Sequence, residues 1–332
     1  MNGKSEPDIY FHSTVHARRV AGVEWLSALT PNTYKKGSHV SGEIFGRIAA
    51  RALDVHLQVS ALLDQSELSA EDIHRVRVAA KELRAWWQVC TPWLGSEAEV
   101  ATRALRDAAK TLSSARDTHV LLETLNTIAE EHGDTPFRDS VYDTISRERS
   151  HVQTELGDSL IDECRAAFIR DQEQWETVDA RSRSALNTST KKSTTLANAG
   201  LVRIYRKGRR LAKQAIAKRG GEHWHELRKW VKYLGFVLPL LGSGKRVRRA
   251  IARCVQFGKT LGELHDLEQL ARITPKLDWS NCSGHQQKLA KSIIEGKQCA
   301  LRRTCKRMAR KLFRNSWNKR RLRSITSAMC TE

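Results

Sequence analysis

A pattern of basic residues that could bind anions occurs twice in the sequence. The first copy, HRVRVAAKELR, covers residues 74–84, and the second, HELRKWVKYLG, covers residues 225–235. Aligned, they share a histidine, an arginine, a lysine and a leucine. At about 100° per residue, the four basic positions of the first copy fall within roughly 80° of a helix circumference. The spacing therefore predicts a helix with one basic stripe.

The chemistry of these stripes suits phosphate. The first consists of His74, Arg77, Lys81 and Arg84, and the second of His225, Arg228 and Lys232, with Lys229 on the same side. Large apolar residues occupy the neighbouring arc, so the stripe should border the core and line a groove. Clustered cations at such an edge are costly unless anions fill the site. Arginine grips phosphate oxygens bidentately, lysine acts as a point charge, and a histidine near phosphate can become cationic.

A second pair of matching segments follows these motifs. Residues 110–117 read KTLSSARD and residues 259–266 read KTLGELHD. The first pair of copies is offset by 151 residues and this pair by 149, which indicates a duplicated helical unit. Alternatively, acidic neighbours could neutralise the stripes. We expect Asp117 and Asp266 to form such ion pairs or to cap helices.

The net charge is concentrated in one part of the chain. The 332 residues carry 57 Lys+Arg and 37 Asp+Glu, a formal net charge of +20. Residues 201–332 hold 33 of these cations and 8 of the acids, so they carry +25, while residues 1–200 carry −5. This asymmetry predicts a polyanionic partner held mainly by the C-terminal half. By charge and placement, further candidate ligand contacts are Lys110, Arg206, Arg209, Arg210, Lys213 and Lys259.

Apolar residues recur with a helical period from residue 41 onwards, and no convincing strand pattern is present. Ser69 and Asp72 predict a capping box at the start of the first motif helix. The tryptophans on or beside the motif helices are expected to fill the core rather than to stack on a ligand. The expected organisation is a leader of uncertain order (1–37), a first helical bundle (38–178), a Ser/Thr-rich linker (179–200) and a second, strongly basic bundle (201–332).

Features of cysteine usage and hydropathy bear on location. The chain has seven cysteines and no CxxC motif, and it begins without the apolar segment of a secretory signal, so we expect reduced thiols and a cytoplasmic location. The longest apolar run, residues 233–241, is shorter than the roughly 20 residues that a membrane span needs. We therefore expect no membrane span.

The paired motif helices, each followed by an LxxxxD element, resemble the CHAD domain, the conserved histidine α-helical domain. The segment ARDTHVLLETL at 115–125 is similar to that family's RDxxVLL segment. The resemblance implies an all-α fold of two antiparallel four-helix bundles, related by a pseudo-twofold, with a basic central groove or pore. It also implies binding of inorganic polyphosphate, association with polyphosphate granules, and ligand contacts from the two stripes. Glu82 and Gly235 depart from the family pattern, where basic residues are usual.

Three other functions compete with polyphosphate binding as interpretations of this sequence. A pI near 10 is typical of nucleic-acid binding, but aromatic residues make up only 6% and are not interleaved with the stripes; nucleic acid remains the alternative ligand, or a competing polyanion. A phosphohydrolase or phosphotransferase is less favoured, because residues 242–245 only partly match a P-loop. The histidines lack HExxH spacing and the surrounding Arg and Lys would repel a dication, so we expect no metal. No paired-carboxylate constellation lies near the stripes, so we also expect no catalytic residues and no cofactor.

Overall fold

The computed structural model describes residues 44–65, 67–112, 124, 127–128, 138–139, 158–185, 190–217, 221–241, 244–276 and 284–313. Over these ranges the regular structure is entirely helical, which confirms the all-α fold class. The helices are α1 (Ile44–Leu63), α2 (Ala70–Leu94), α3 (Ser96–Thr111), α4 (Asp158–Ala185), α5 (Thr190–Ala217), α6 (Glu222–Val237), α7 (Lys245–Ile273) and α8 (Gly284–Leu312). Short 3₁₀ turns follow α6 and α7 at Leu238–Leu241 and Thr274–Lys276.

The eight described helices pack as two sets of four that follow one another in the chain. In the first set, α1 packs against α2 and α4, and α3 packs against the same two helices. In the second set, α6 lies against α5 and α7, while α8 packs on α7 and α5. The sets meet where α2 contacts both α5 and α6. The two motif helices, α2 and α6, are therefore in direct contact, whereas the pseudo-twofold and the central pore remain predictions.

The start of α2 is set by local hydrogen bonds. The Ser69 hydroxyl accepts a bond of 3.1 Å from the Asp72 backbone N–H, and the Ser69 N–H donates to the Asp72 carboxylate at 3.2 Å. This reciprocal pair confirms the predicted capping box. It satisfies backbone donors that the first helical turn leaves open, and it fixes where the stripe begins along the helix.

A buried polar cluster joins three helices of the first set. The Asp171 carboxylate on α4 lies 2.9 Å from His56 Nε2 on α1. It also accepts hydrogen bonds from the indole N–H groups of Trp87 at 2.9 Å and Trp175 at 3.1 Å. Burial raises the pKa of Asp171, and these three partners oppose that rise. The cluster ties α1 and α4 to the motif helix α2.

The described parts of the predicted linker, 179–185 and 190–200, are helical. Helices α4 and α5 extend into it from both sides. Ser193 is buried, and a Cβ atom added at Gly200 would lie 2.2 Å from the Val89 carbonyl oxygen. The glycine therefore allows α5 to pack closely on α2. Tertiary packing of this kind outweighs the weak helix propensity of a Ser/Thr-rich segment. The proposed domain boundaries remain predictions.

Candidate anion-binding site

The first stripe borders the core of the first helical set. His74, Arg77, Lys81 and Arg84 are all half-buried along α2, and the apolar residues Ile73, Val76 and Leu83 beside them are buried. His74 Nδ1 and Arg84 Nε are buried without a hydrogen-bond partner among the described residues. Buried polar nitrogens in this state would gain free energy from an acceptor such as a phosphate oxygen.

The second stripe packs along α7 in an antiparallel register. His225 lies against His265, with their Nδ1 atoms 3.1 Å apart. Arg228, one helical turn further along α6, lies against Gly262. Lys232, one turn beyond Arg228, lies against Gly258. As residue numbers rise along α6, those of their partners fall along α7. The register therefore places the whole second stripe over a single face of α7.

Two glycines on α7 make room for the cationic side chains. A Cβ atom added at Gly262 would lie 3.2 Å from a guanidinium nitrogen of Arg228, which is tighter than ordinary contact. One added at Gly258 would lie 3.8 Å from Cγ of Lys232, an ordinary van der Waals distance. The Arg228 guanidinium therefore packs directly on the α7 backbone, where a larger residue would crowd it.

The electrostatic environment of this stripe is strongly positive. The pKa of His265 is lowered to about 3, first by burial and then by the charges of Arg228, His225, Arg272 and Lys232. The pKa of His225 is also lowered, by burial and then mainly by Arg228. The His265 ring is therefore neutral at pH 7, and the hydrogen bond between the two Nδ1 atoms needs a proton on one of them. Burial, and after it the charges of the neighbouring cations, disfavour imidazolium at this pair.

The two motif helices meet through their C-terminal halves. The Arg84 guanidinium lies over the Tyr233 ring, 5.7 Å from its centroid, and the Trp86 indole N–H points at the Phe236 carbonyl oxygen at 3.5 Å. The Tyr233 hydroxyl is buried without a hydrogen-bond partner in the described part of the chain. Burial raises the pKa of Tyr233, and the charge of Arg84 opposes this. One stripe therefore ends beside the other.

The tryptophans near the motifs belong to the core, as predicted. Trp86, Trp87 and Trp224 are almost fully buried, and Trp230 is 9% exposed. Trp230 also has the Lys207 ammonium 5.9 Å from its ring centroid. These rings support the stripes from behind rather than offering stacking faces to a ligand.

The remaining candidate cations have varied surroundings. Lys229 is neutralised by Glu226 on its own helix, with 2.8 Å between ammonium and carboxylate. Lys110 is exposed at the end of α3, and Lys259 is half-buried on α7. On α5, which packs against both motif helices, Arg206, Arg210 and Lys213 are exposed and Arg209 is half-buried. Their participation in one site with the stripes remains a prediction.

Two acidic positions were expected to act structurally. Asp266, directly after His265, is half-buried. Burial raises the pKa of Glu263, and the charge of Asp266 adds to that rise. Asp117 lies outside the described residues. Their predicted ion-pair or capping roles remain predictions.

Two residues of α7 beside the second stripe, His265 and Arg272, were not predicted from the sequence. The aligned KTL segments contained a signal for the first of these, because they place His265 opposite Arg116. No group of three His, Cys, Asp or Glu residues with metal-binding geometry occurs in the described ranges. Among the described helices, none is both long and apolar enough to cross a membrane.

Comparison with known proteins identifies the family. The CHAD domain family model matches residues 48–274, and the chain belongs to the CHAD family. A crystal structure of the CHAD domain from the plant Ricinus communis is 16% identical, with a TM-score of 0.44; the match covers 87% of this chain and 91% of that chain. No match was found among curated proteins.

Proposed function

We propose that this protein binds inorganic polyphosphate through the basic stripes on α2 and α6, without catalysing a reaction on it. The observation that supports this most directly is the row of half-buried cations along α6, whose charges repel one another and, after burial, help to lower the pKa of His265 to about 3. A flexible linear polyanion would relieve this repulsion along the whole stripe. Membership of the CHAD family, together with the resemblance of both motifs, favours the same ligand class.

The burial of the stripes favours a thin ligand. Polyphosphate carries a negative charge on each phosphate and no bases, so a half-buried row of cations can follow it closely. A DNA duplex presents its phosphates on a wide cylinder and reaches such side chains less easily. Contacts between phosphate and Arg or Lys release counterions, so affinity should fall steeply with salt. Binding of this kind would also recruit the protein to polyphosphate granules.

Alanine substitution of stripe residues tests the site. We expect the triple variant H74A/R77A/K232A to lose at least 100-fold in affinity for long-chain polyphosphate, because each charge-assisted contact is worth about 1.5–3 kcal/mol. The matched control is R246A/R249A, which removes two exposed cations near the start of α7 and should lose less than about fivefold. Isothermal titration calorimetry at about 150 mM salt gives both values.

Two outcomes of this experiment would contradict the proposal. A folded triple variant with unchanged affinity would show that the stripes are not the site. Release of orthophosphate above the background rate during the titration would show that the protein turns the polymer over, and the claim of binding without catalysis would then be wrong.

A further inference from the structure

The second half of the chain has a titratable residue where the first half has a permanent cation. The aligned KTL segments pair His265 with Arg116, each directly before an aspartate. Arginine stays charged at every physiological pH, whereas the charge of histidine changes near pH 6.5. The sequence therefore places a pH-sensitive group at an equivalent position of the repeated unit.

His265 is in direct contact with a second histidine, His225. The His225 and His265 rings are 4.5 Å apart between centroids, and their Nδ1 atoms are 3.1 Å apart. A hydrogen bond between two Nδ1 atoms requires one protonated and one unprotonated nitrogen. It therefore cannot persist when both rings are protonated at that atom. Gln269, one turn along α7, adds an uncharged amide 3.5 Å from His265 Nε2.

Cations dominate the described surroundings of this pair. The charged groups acting on it are Arg228, Lys229, Lys232 and Glu226 on α6 and Arg272 on α7. Glu226 is already bound by Lys229. At the start of α6, Glu268 approaches Gly221, but Arg302 of α8 holds this carboxylate at 3.0 Å. Both of these carboxylates have a basic partner, and burial together with the charges of the cations disfavours imidazolium at the pair.

We propose that the His225–His265 pair takes up a proton from solvent when polyphosphate binds, so that affinity rises as the pH falls from about 8 to about 6. The inference rests on the proposed function. Phosphates beside Arg228 and Lys232 would replace repulsion with attraction and favour the charged ring. One ring would then carry protons on both nitrogens, so it could donate to a phosphate oxygen through Nε2 while its Nδ1 still donates to the other ring.

The sign of the effect follows from linkage. The pKa of His265 is about 3 in the free protein, and a bound anion raises it. Affinity is therefore independent of pH above the pKa of the complex. Below that value it increases by up to about tenfold per pH unit for each proton taken up, and it levels off again below the pKa of the free protein.

The test compares three chains at constant ionic strength and pH 8, 7 and 6. Wild type should gain at least tenfold in polyphosphate affinity between pH 8 and pH 6. H265R, which restores the arginine of the first half, should bind at pH 8 about as tightly as wild type at pH 6 and lose most of the dependence. H265Q should stay weak and nearly flat. Equal slopes in all three folded proteins would overturn the proposal.

A second measurement uses the unmodified chain. The binding enthalpy of wild type at pH 6.5, measured in buffers of different ionisation enthalpy, should vary with a slope of about one proton taken up. A slope of zero would overturn the proposal even if polyphosphate binds tightly. Failure of wild type to bind polyphosphate at any pH would instead overturn the proposed function, so the two failures are distinguishable.

Discussion

Glu82 is an acidic residue in the middle of the first basic motif, but its carboxyl group does not neutralise the stripe. It is buried, and its nearest charged influence is Arg51 on α1. Burial raises its pKa to about 7, and the Arg51 charge opposes this rise only partly. The departure from the family pattern at this position therefore affects stability rather than the charge of the candidate site.

The raised pKa of Glu82 gives stability a defined pH dependence. The pKa of Glu82 is higher in the folded state than its ordinary value of 4.5. The contribution of this group to the free energy of unfolding is therefore fully present below about pH 4.5 and is lost as the pH rises through 7. We expect the free energy of unfolding of E82Q to be about 1–3 kcal/mol higher than that of wild type at pH 8, and similar to that of wild type at pH 5. Urea denaturation at both pH values measures this.

The control for this prediction is E163Q, which changes an exposed carboxylate on α4. It should leave the pH dependence of wild type unaltered. If E82Q and E163Q show the same difference in stability between pH 5 and pH 8, then Glu82 is ionised in the folded protein without penalty and the assignment is wrong.

At the scale of elements, the close packing of α6 on α7 positions the second stripe. The G262A and G258A variants separate positioning from stability, since both replace a glycine inside the same helix. Each should stabilise α7 by about 0.5–1 kcal/mol through helix propensity. Only the Cβ of G262A crowds the Arg228 guanidinium, at 3.2 Å. We therefore expect G262A to weaken polyphosphate binding by about three- to tenfold.

The G258A variant is the matched control, because its Cβ would lie at an ordinary 3.8 Å from Lys232. Its affinity should stay within about twofold of wild type, as measured by the same calorimetric titration. Thermal melting of both variants reports the stability change. Equal affinities for G262A and G258A would mean that the packing of Arg228 on α7 has no part in binding.

The limits of prediction from sequence also appear at this scale. The capping box of α2 and the half-buried placement of its stripe depend on neighbours within a few turns. The spacing of Ser69 and Asp72 predicted the first, and helical periodicity predicted the second. The pairing of His225 with His265 depends on how two helices are aligned, across 40 residues of chain. The partners of Asp171 on α1 and α2 lie even further away in sequence. Such contacts leave no local pattern.

The helices that cover residues 179–185 and 190–200 were not predicted, for a related reason. Local propensity is weak there, and the close approach of Gly200 to Val89 became visible only once α5 and α2 were seen together. At the C-terminal end of this segment, Gly200 packs directly against Val89 of α2 and so brings the two helical sets together. Substitutions in it should therefore act on the packing of the sets rather than on their separation.

At the scale of the whole molecule, charge is divided as the proposed function would require. The excess of +25 lies in residues 201–332, which include α6 and α7, while the rest of the chain is slightly acidic. An uneven field of this kind draws a polyanion toward the basic half before specific contacts form. The half-buried stripes would then select among polyanions by shape, because a general surface attraction acts on DNA as well.

The most direct test of this proposal is a side-by-side titration of the protein with three polyanions. Long-chain polyphosphate, single-stranded DNA and duplex DNA would be compared at matched phosphate concentration, pH 7 and about 150 mM salt. We predict that polyphosphate binds at least tenfold more tightly than either DNA. Equal or tighter binding of DNA would show that the basic half is a general polyanion surface, and it would contradict the assignment of polyphosphate as the ligand.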